Sequence, residues 1–304
     1  MQRRMRAVLA CLLLAACGGG AKQTQTTTAT SLPKQPEAPK TYEIRLSRPN
    51  KVGDKVHLVT DQTEEKGTKV TAAGKVLDDK NEKHVYHLDE IMTVVAVNEA
   101  GRITKTHDDV ADLVIDGRSL GKAALDITRA PKEKDAVILV NGKPAAKPIR
   151  EALTDVLKLS VGGVNDDDIF GTKTPQAVGA HWTPNTALAR EDLKNDSGLD
   201  AQNMTGDIWL EGTTRVGALD CLDVRAKMGL DDIAMGALPP GQKLESGHAD
   251  IEMRAALPID GSIERASDHM AMVMNMKLDV TGPKGTAVVA VALKQSRDST
   301  YSRP

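Results

Sequence analysis

Four methionines recur at every second position near the C-terminus: Met270, Met272, Met274 and Met276. Alternate residues of a β-strand point to one face, so this spacing predicts a stripe of thioethers along one side of a strand. Three interpretations fit the stripe. It fills gaps in a core that has few aromatic side chains, it lines a soft cavity for an acyl chain or another apolar ligand, or it binds Cu(I) together with His269. Same-face residues on a flat strand lie about 6.5–7 Å apart, which weighs against copper because the sulfur atoms do not converge.

The other residues of metal-binding type show no metal-site spacing. His84 and His87 lie three residues apart, and their β-branched and aromatic neighbours favour a strand, on which the two side chains point to opposite faces. Asp166, Asp167 and Asp168 are consecutive and lack the alternate-residue spacing of an EF-hand loop, so we expect a solvated turn there. We predict surface histidines, no bound metal and no cofactor.

Nucleotide-binding and zinc-protease motifs are incomplete or missing in the sequence. Residues 117–123 approach a phosphate-binding loop, but they are one residue short between the glycines, and Ala123 stands where Mg²⁺ requires a hydroxyl. We therefore expect a turn. The formal net charge of −2 argues against a nucleic-acid surface, and the scarcity of aromatic residues argues against a stacked sugar or base. The sequence predicts a protein that is not an enzyme.

The N-terminus has the three parts of an export signal. Arg3, Arg4 and Arg6 precede an uncharged apolar run at 7–16, which is too short to span a bilayer because a spanning helix needs about 20 residues. The following four residues, Leu14-Ala15-Ala16-Cys17, resemble the lipobox of bacterial lipoproteins. This resemblance implies cleavage before Cys17 and attachment of fatty acyl chains such as palmitate to it, which would anchor the protein firmly in a membrane. The Gly18 that follows, rather than Asp, implies an outer-membrane lipoprotein that faces the periplasm.

The composition predicts three segments: a signal peptide at 1–16, the lipidated cysteine and a flexible linker at 17–40, and one domain at 41–304. The linker is rich in Gly, Thr, Gln, Pro and Lys, and such a segment buries too little apolar surface to offset its ordering entropy. Short echoes at Val52-Gly53 and Val178-Gly179 are consistent with a domain of two related halves. Cys221 is the one cysteine inside this domain, and we expect it to be a small buried residue on a strand.

The domain alternates between apolar and polar residues, which is typical of antiparallel strands with one buried face. Residues 249–257 place Ile251, Met253, Ala255 and Leu257 on one face and Asp250, Glu252 and Arg254 on the other. Residues 216–228 alternate apart from Asp220, where we expect a β-bulge. Asn141-Gly142 follows an apolar run and predicts a tight hairpin turn.

Residues 148–160 show helical spacing instead, and Pro148 suits a first helical turn. We expect one central amphipathic helix at about 148–160 against a curved antiparallel sheet, that is, a β-rich half-barrel or open barrel of the α+β type. In the apolar-ligand interpretation, Leu153, Val156 and Leu157 line the cavity together with the four methionines. Shorter helical turns are expected near 109–113, 185–194 and 231–236.

Several short motifs resemble a family of uncharacterised bacterial lipoproteins that carry a domain of unknown function. They are residues 166–170 and 178–182, which flank Pro175, with 52–56 upstream and 260–263 downstream, and the likeness covers most of 45–295. Members usually have Glu-Ser or Asp-Ser before the tryptophan, where this chain has Ala180-His181 before Trp182. The expected architecture is also similar to the LolA- and LppX-type carriers of lipids and lipoproteins. No motif aligns with those carriers, and a shared fold does not fix a function.

Two functions are consistent with the sequence. The first is a membrane-anchored, non-enzymatic lipoprotein that binds or carries an apolar ligand on the periplasmic side. The second is a structural or protein-interaction lipoprotein of the cell envelope, which has a fully packed core and acts on a protein partner through its surface.

Overall fold

The computed structural model of the protein describes residues 39–130, 135–157, 159, 161, 163–235, 238–282 and 285–304. The described residues all belong to one compact unit, Pro39–Pro304. The predicted signal peptide, the acylation site at Cys17 and all of the linker except residues 39 and 40 lie outside the described residues.

Antiparallel strands make up most of the domain, which confirms the predicted β-rich fold. Two short strands pair only with each other, and the other thirteen described strands form one sheet. The strands are β1 (Thr41–Tyr42), β2 (Lys55–Ala72), β3 (Lys75–Val97), β4 (Ile103–Ile115), β5 (Arg118–Ser119), β6 (Ala123–Thr128), β7 (Val137–Val140), β8 (Lys143–Pro144), β9 (Gln176–Ala177), β10 (His181–Trp182), β11 (Leu199–Val216), β12 (Leu219–Met235), β13 (Gln242–Pro258), β14 (Ser267–Gly282) and β15 (Gly285–Ser302).

The order of strands in the large sheet is β10-β11-β12-β13-β14-β15-β2-β3-β4-β6-β7-β8, with β5 paired to β4. Consecutive strands are mostly neighbours, and the pairing of β15 with β2 brings the C-terminal strand beside the first long strand. Within the described ranges no pairing joins β8 to β10, so the sheet is curved and open, as expected for a half-barrel.

One face of the sheet carries the hydrophobic cores, and we call it the inner face. Strand pairing identifies it, because residues directly opposite on neighbouring strands share a face. Leu230, Ala249, Met274 and Leu293 form one such row across β12 to β15. The methionine stripe therefore lies on the inner face.

The described helices are α1 (Lys147–Val156), α2 (Asp166–Phe170) and α3 (Thr186–Ser197), so there are three where we expected one. The first core joins α1 to β3, β4, β6 and β7, and the second joins α2 and α3 to β11, β12 and β13. Helix α1 contacts β3, and α3 contacts β11. In the strand order, β14, β15 and β2 lie between these two contacted strands, so the two helices lie on either side of them.

Among the residues that the structure describes, no helix has both the length and the apolar character needed to cross a bilayer.

The helix predicted at 148–160 is correctly located but ends too late in the prediction. The chain turns extended at Leu157 (φ −111°, ψ 138°). Leu157 and Leu159 are both buried in the first core. An extended chain directs such alternate residues to one side, whereas a helix would separate them. The turn expected at 185–194 is confirmed as α3, whose first turn is capped by the Asn185 side chain.

Three other local predictions were wrong. Residues 109–113 belong to β4, and residues 231–235 belong to β12. Residues 216–228 are interrupted by a turn at Gly217-Ala218, where Gly217 has φ +57°. Asp220 is therefore the second residue of the new strand β12 and not a β-bulge. The hairpin at Asn141-Gly142 is confirmed, because both residues have positive φ (50° and 75°), as a type I′ turn requires.

The three consecutive aspartates form the first turn of α2 and not the solvated turn that we expected. Asn165 caps this helix by accepting a hydrogen bond from the Asp167 backbone N–H. The Asp167 carboxylate in turn accepts hydrogen bonds from the backbone N–H groups of Leu46 (2.6 Å) and Ser47 (3.2 Å). It thereby attaches the N-terminal segment, whose Ile44 is buried against β11 and β12.

We predict that Asp167→Ala lowers the free energy of unfolding by about 1–3 kcal/mol, because two partly buried backbone N–H groups lose a charged acceptor. Asp168→Ala removes an exposed carboxylate from the same helix and serves as the control. The free energy of unfolding of each variant is measured by urea unfolding. The chain is expressed without its signal peptide, and therefore without acylation. Equal stability of the two variants would contradict the attachment role of Asp167.

Candidate functional site

All four methionines of the stripe lie on β14, as predicted, and each is partly exposed on the inner face. Their opposed neighbours on β13 are apolar or small, and those on β15 change from polar to apolar along the strand. We call the methionines and three of these neighbours the methionine strip: Met270, Met272, Met274, Met276, Ile251, Val291 and Leu293.

The strip borders the second core without being enclosed by it. Leu230 and Ala249 are each only 3% exposed, and two partly buried members of the strip, Ile251 and Met274, pack against this core. The rest of the strip extends over β14 and β15, between the strands that α1 and α3 contact. The methionines therefore form part of a partly exposed apolar face.

The three helix-side residues of the predicted cavity lie in the first core. Leu153, Val156 and Leu157 are 0%, 4% and 9% exposed, and they pack with buried residues of β3, β4, β6 and β7. Met274 belongs to the surroundings of the second core. The structure thus assigns the helix residues and the methionine stripe to different clusters on the same face of the sheet.

Polar side chains occupy the end of the strip nearest to Met270. Met270 lies directly opposite Arg297, and Arg297 lies directly opposite Gln62. Gln62 is 2% exposed, and neither atom of its amide group has a hydrogen-bond partner in the described parts of the chain. The same holds for Arg297 Nε. Sequence reasoning missed this pair, because Gln62 stands in a stretch that is polar at almost every position.

Asp268 is the acidic neighbour of Arg297 at this end. Its Oδ1 atom lies 3.9 Å from Arg297 Nη2, which is beyond hydrogen-bond distance. Its Oδ2 atom accepts a hydrogen bond from the Tyr301 hydroxyl (2.8 Å) and one from Arg265 Nη1 (3.3 Å). Asp268 is thus engaged mainly with Tyr301 and Arg265, and it compensates the charge of Arg297 only in part.

A second buried polar group lies near the first core. Glu90 on β3 and Asp108 on β4 are each 1% exposed, and each has one carboxyl oxygen without a hydrogen bond to any described residue. Burial raises the pKa of both groups, well above the usual value for Glu90 and to about 6 for Asp108, while Arg129 opposes both shifts. A sequence signal existed for Glu90, because it takes an apolar position of the alternation between Leu88 and Met92.

We predict that Glu90→Gln raises the free energy of unfolding at pH 8 and reduces the dependence of that free energy on pH. The pKa of Glu90 is raised in the folded state, so its contribution to stability is complete below its unfolded pKa of 4.5 and is lost as the pH rises through the folded value. Glutamine stays neutral and removes this loss. Urea unfolding between pH 4.5 and 8 measures the effect, with the exposed Glu99→Gln as control. If the free energy of unfolding of the Glu90→Gln variant depends on pH in the same way as that of the unaltered chain, the prediction is refuted.

All seven histidines lie within 3.0 Å of an aspartate. In four of these pairs the two residues are directly opposite each other on neighbouring strands: His87 with Asp61, His107 with Asp126, His248 with Asp231 and His269 with Asp298. The remaining pairs are His57 with Asp89, His84 with Asp116 and His181 with Asp207, and His248 also contacts Asp250. In the described part of the chain, no three His, Cys, Asp or Glu residues group so as to hold a metal. Cys221 is buried on β12, as expected.

Residues 117–121 read Gly-Arg-Ser-Leu-Gly, which is the spacing of a nucleophile elbow. That motif requires a strand followed by a helix, whereas Ser119 lies in β5, which forms a tight hairpin with β4. The Ser119 hydroxyl donates a hydrogen bond to Asp112 (2.5 Å) and accepts one from the Gly121 backbone N–H (3.0 Å). The segment is therefore a turn, as its glycines indicated.

Two of the surface grooves formed by the described residues cross the long strands. The larger, of about 770 Å³, is lined by residues of β2, β3, β12, β13, β14 and β15, and Met276 is the member of the stripe that reaches it. The smaller, of about 420 Å³, lies across β11 to β14. Charged side chains contribute to both linings, including Lys277 in the larger groove and Lys227 in the smaller.

No protein-family model matches the chain, and no curated protein matches it significantly. Among solved structures, the chain is similar to the outer membrane protein OprG from Pseudomonas aeruginosa, with 10% identity and a TM-score of 0.16 over 84% of this chain and 98% of that one. It is also similar to OpdQ from Pseudomonas aeruginosa, with 7% identity and a TM-score of 0.19 over 82% of this chain and 98% of that one. At these TM-scores, neither likeness bears on the function of this protein.

Proposed function

We propose that this protein is a lipid-anchored, non-enzymatic lipoprotein of the outer membrane, which faces the periplasm and binds an apolar ligand on the methionine strip. The observation that carries this proposal is the partly exposed apolar face on β14 and β15. These strands lie between β3, which α1 contacts, and β11, which α3 contacts. The resemblance to uncharacterised lipoproteins remains a prediction, and the proposal does not depend on it.

The physical reason is the cost of leaving such a face in water. Soluble proteins rarely expose large contiguous apolar patches unless the patches bind something. An acyl chain laid along β14 would gain about 0.8 kcal/mol for each CH2 group removed from water. Methionine side chains are flexible and polarisable, so they can adapt to chains of different length and shape.

The anchor supports the proposal by placing the site near lipids. If Cys17 carries acyl chains, the linker at 17–40 acts as a tether that spans about 25–30 Å as a flexible coil. The domain could then reach ligands at the membrane surface while remaining attached. This part of the proposal depends on the lipobox-like residues at 14–17.

We predict that Met272→Lys weakens the binding of the fluorescent apolar probe N-phenyl-1-naphthylamine by about tenfold or more, because a charge would be desolvated against the ligand. Val273→Lys places the same charge on the next residue of β14, which is 40% exposed on the opposite face, and should leave the affinity unchanged. Fluorescence titration, with displacement by dodecanol, measures both. Absence of saturable binding to the unaltered chain would instead favour the alternative of a surface-acting structural lipoprotein.

We predict that Cys17→Ser abolishes both the acylation of residue 17 and the cleavage before it, so the acyl mass increment is lost and the precursor keeps its signal peptide. Cys11→Ser changes a residue within the signal peptide and should have no effect on the mature chain. Intact-mass spectrometry of membrane and soluble fractions distinguishes these outcomes. A mature protein that retains Ala16, or that lacks an acyl mass increment on Cys17, would contradict the anchor.

A further inference from the structure

We infer that the ligand is a single-chain amphiphile with an anionic head group, which binds at Arg297 and Gln62 while its chain follows the methionine strip. This inference rests on the proposed function and adds the chemical class of the ligand.

The position of the two polar residues supports this arrangement. Residues directly opposite on neighbouring strands have Cβ atoms about 4.5–5.5 Å apart, so the Arg297 guanidinium and the Gln62 amide can reach one small group. Met270 is directly opposite Arg297 and begins the stripe. From Met270 to Met276 the strand rises about 20 Å, which is long enough for an extended chain of fatty-acid length.

The surroundings of the pair define a closed end and an open end. One inner-face position further along, Thr60 and Ser299 are 2% and 3% exposed, and the Thr60 hydroxyl donates a hydrogen bond to the Ser299 hydroxyl (3.2 Å). In the other direction Met272, Met274 and Met276 are all partly exposed. A head group is therefore expected at the closed end, with the chain running towards the open end.

Unsatisfied hydrogen-bonding groups favour a polar head over a purely apolar ligand. A buried amide without a partner is destabilising because its hydrogen bonds to water are not replaced, and both amide atoms of Gln62 are in this situation among the described residues. Its NH2 group can donate to an anionic oxygen, and its carbonyl can accept from a hydroxyl. A ligand that satisfies this amide would recover part of that cost on binding.

The charge balance favours an anion. Arg297 has a buried Nε without a partner among the described residues, and its guanidinium lies 3.9 Å from the carboxylate of Asp268. Guanidinium groups bind carboxylates and phosphates through paired hydrogen bonds. Glu64, the next inner-face residue after Gln62 on β2, would repel an anion, but burial raises the pKa of its carboxyl and disfavours its charged form.

The test compares ligands that share a twelve-carbon chain and differ in the head: laurate, dodecyl phosphate and dodecanol. Each is titrated against the probe bound to residues 17–304, expressed without the signal peptide and carrying Cys17→Ser so that no acyl chain is attached. We expect at least one of the two anions to bind about tenfold more tightly than dodecanol. The comparison of laurate with dodecyl phosphate separates a fatty-acid source from a phosphate-bearing lipid source, and a preference for either supports the inference.

Arg297→Gln should remove the preference for the anion and leave the affinity for dodecanol within about twofold. Lys294→Gln removes an exposed charge from the same strand and serves as the matched control. Gln62→Leu is the second variant, since it replaces an amide that has no partner among the described residues by an apolar group of similar size, and it should also reduce the preference. Circular dichroism verifies that each variant is folded.

The outcomes separate the two proposals. Equal affinity of the unaltered chain for anions and dodecanol would overturn the head-group inference and leave the apolar site intact. A preference for anions that survives both Arg297→Gln and Gln62→Leu would overturn the assignment of these residues. If none of the three ligands displaces the probe, the proposed function itself fails.

Discussion

The pairing of β15 with β2 is the interaction on which the rest of the structure depends. It runs from Ala287 opposite Ala72 to Ser302 opposite His57, and it joins the strands β2 to β8 to the strands β10 to β15 in one sheet. Each of the two groups has its own helix-covered core. The inner face is continuous only because this pairing holds. The methionine strip, Arg297 and Gln62 all lie on or beside this junction, so the candidate site is a product of long-range strand pairing.

Such a junction has a kinetic consequence but a modest thermodynamic cost. The paired residues are more than two hundred positions apart in the chain. Loop-closure entropy grows only with the logarithm of that separation, so a long intervening chain adds little to the cost of pairing. Non-local pairings nevertheless slow folding, because the ends must meet before the contacts stabilise them. The local hairpins on either side can form first and present β2 and β15 to each other.

Local patterns in the sequence were sufficient for much of the fold. The alternation around Met270–Met276 predicted a strand and its shared face, and Asn141-Gly142 predicted a hairpin because a type I′ turn requires such residues. The turn at Gly217-Ala218 was missed, because small residues interrupt an alternation without a strong turn signal. The end of α1 was also misplaced, because the burial of Leu159 is a tertiary effect. Local pattern alone does not indicate which strands become neighbours.

The same limit explains why the polar end of the strip was not predicted. Gln62 and Arg297 come from opposite ends of the described chain, and only the strand register makes them neighbours. Natural sequences are locally consistent with their folds at most positions, and departures concentrate at functional sites. Here a buried amide without partners among the described residues, a partly compensated guanidinium and a row of partly exposed methionines meet on one stretch of the inner face. A face selected for packing alone would carry apolar side chains at Gln62 and Arg297 and a covering element above β14. The coincidence of these departures, rather than any one of them, is the physical reason to expect that this stretch binds an amphiphile.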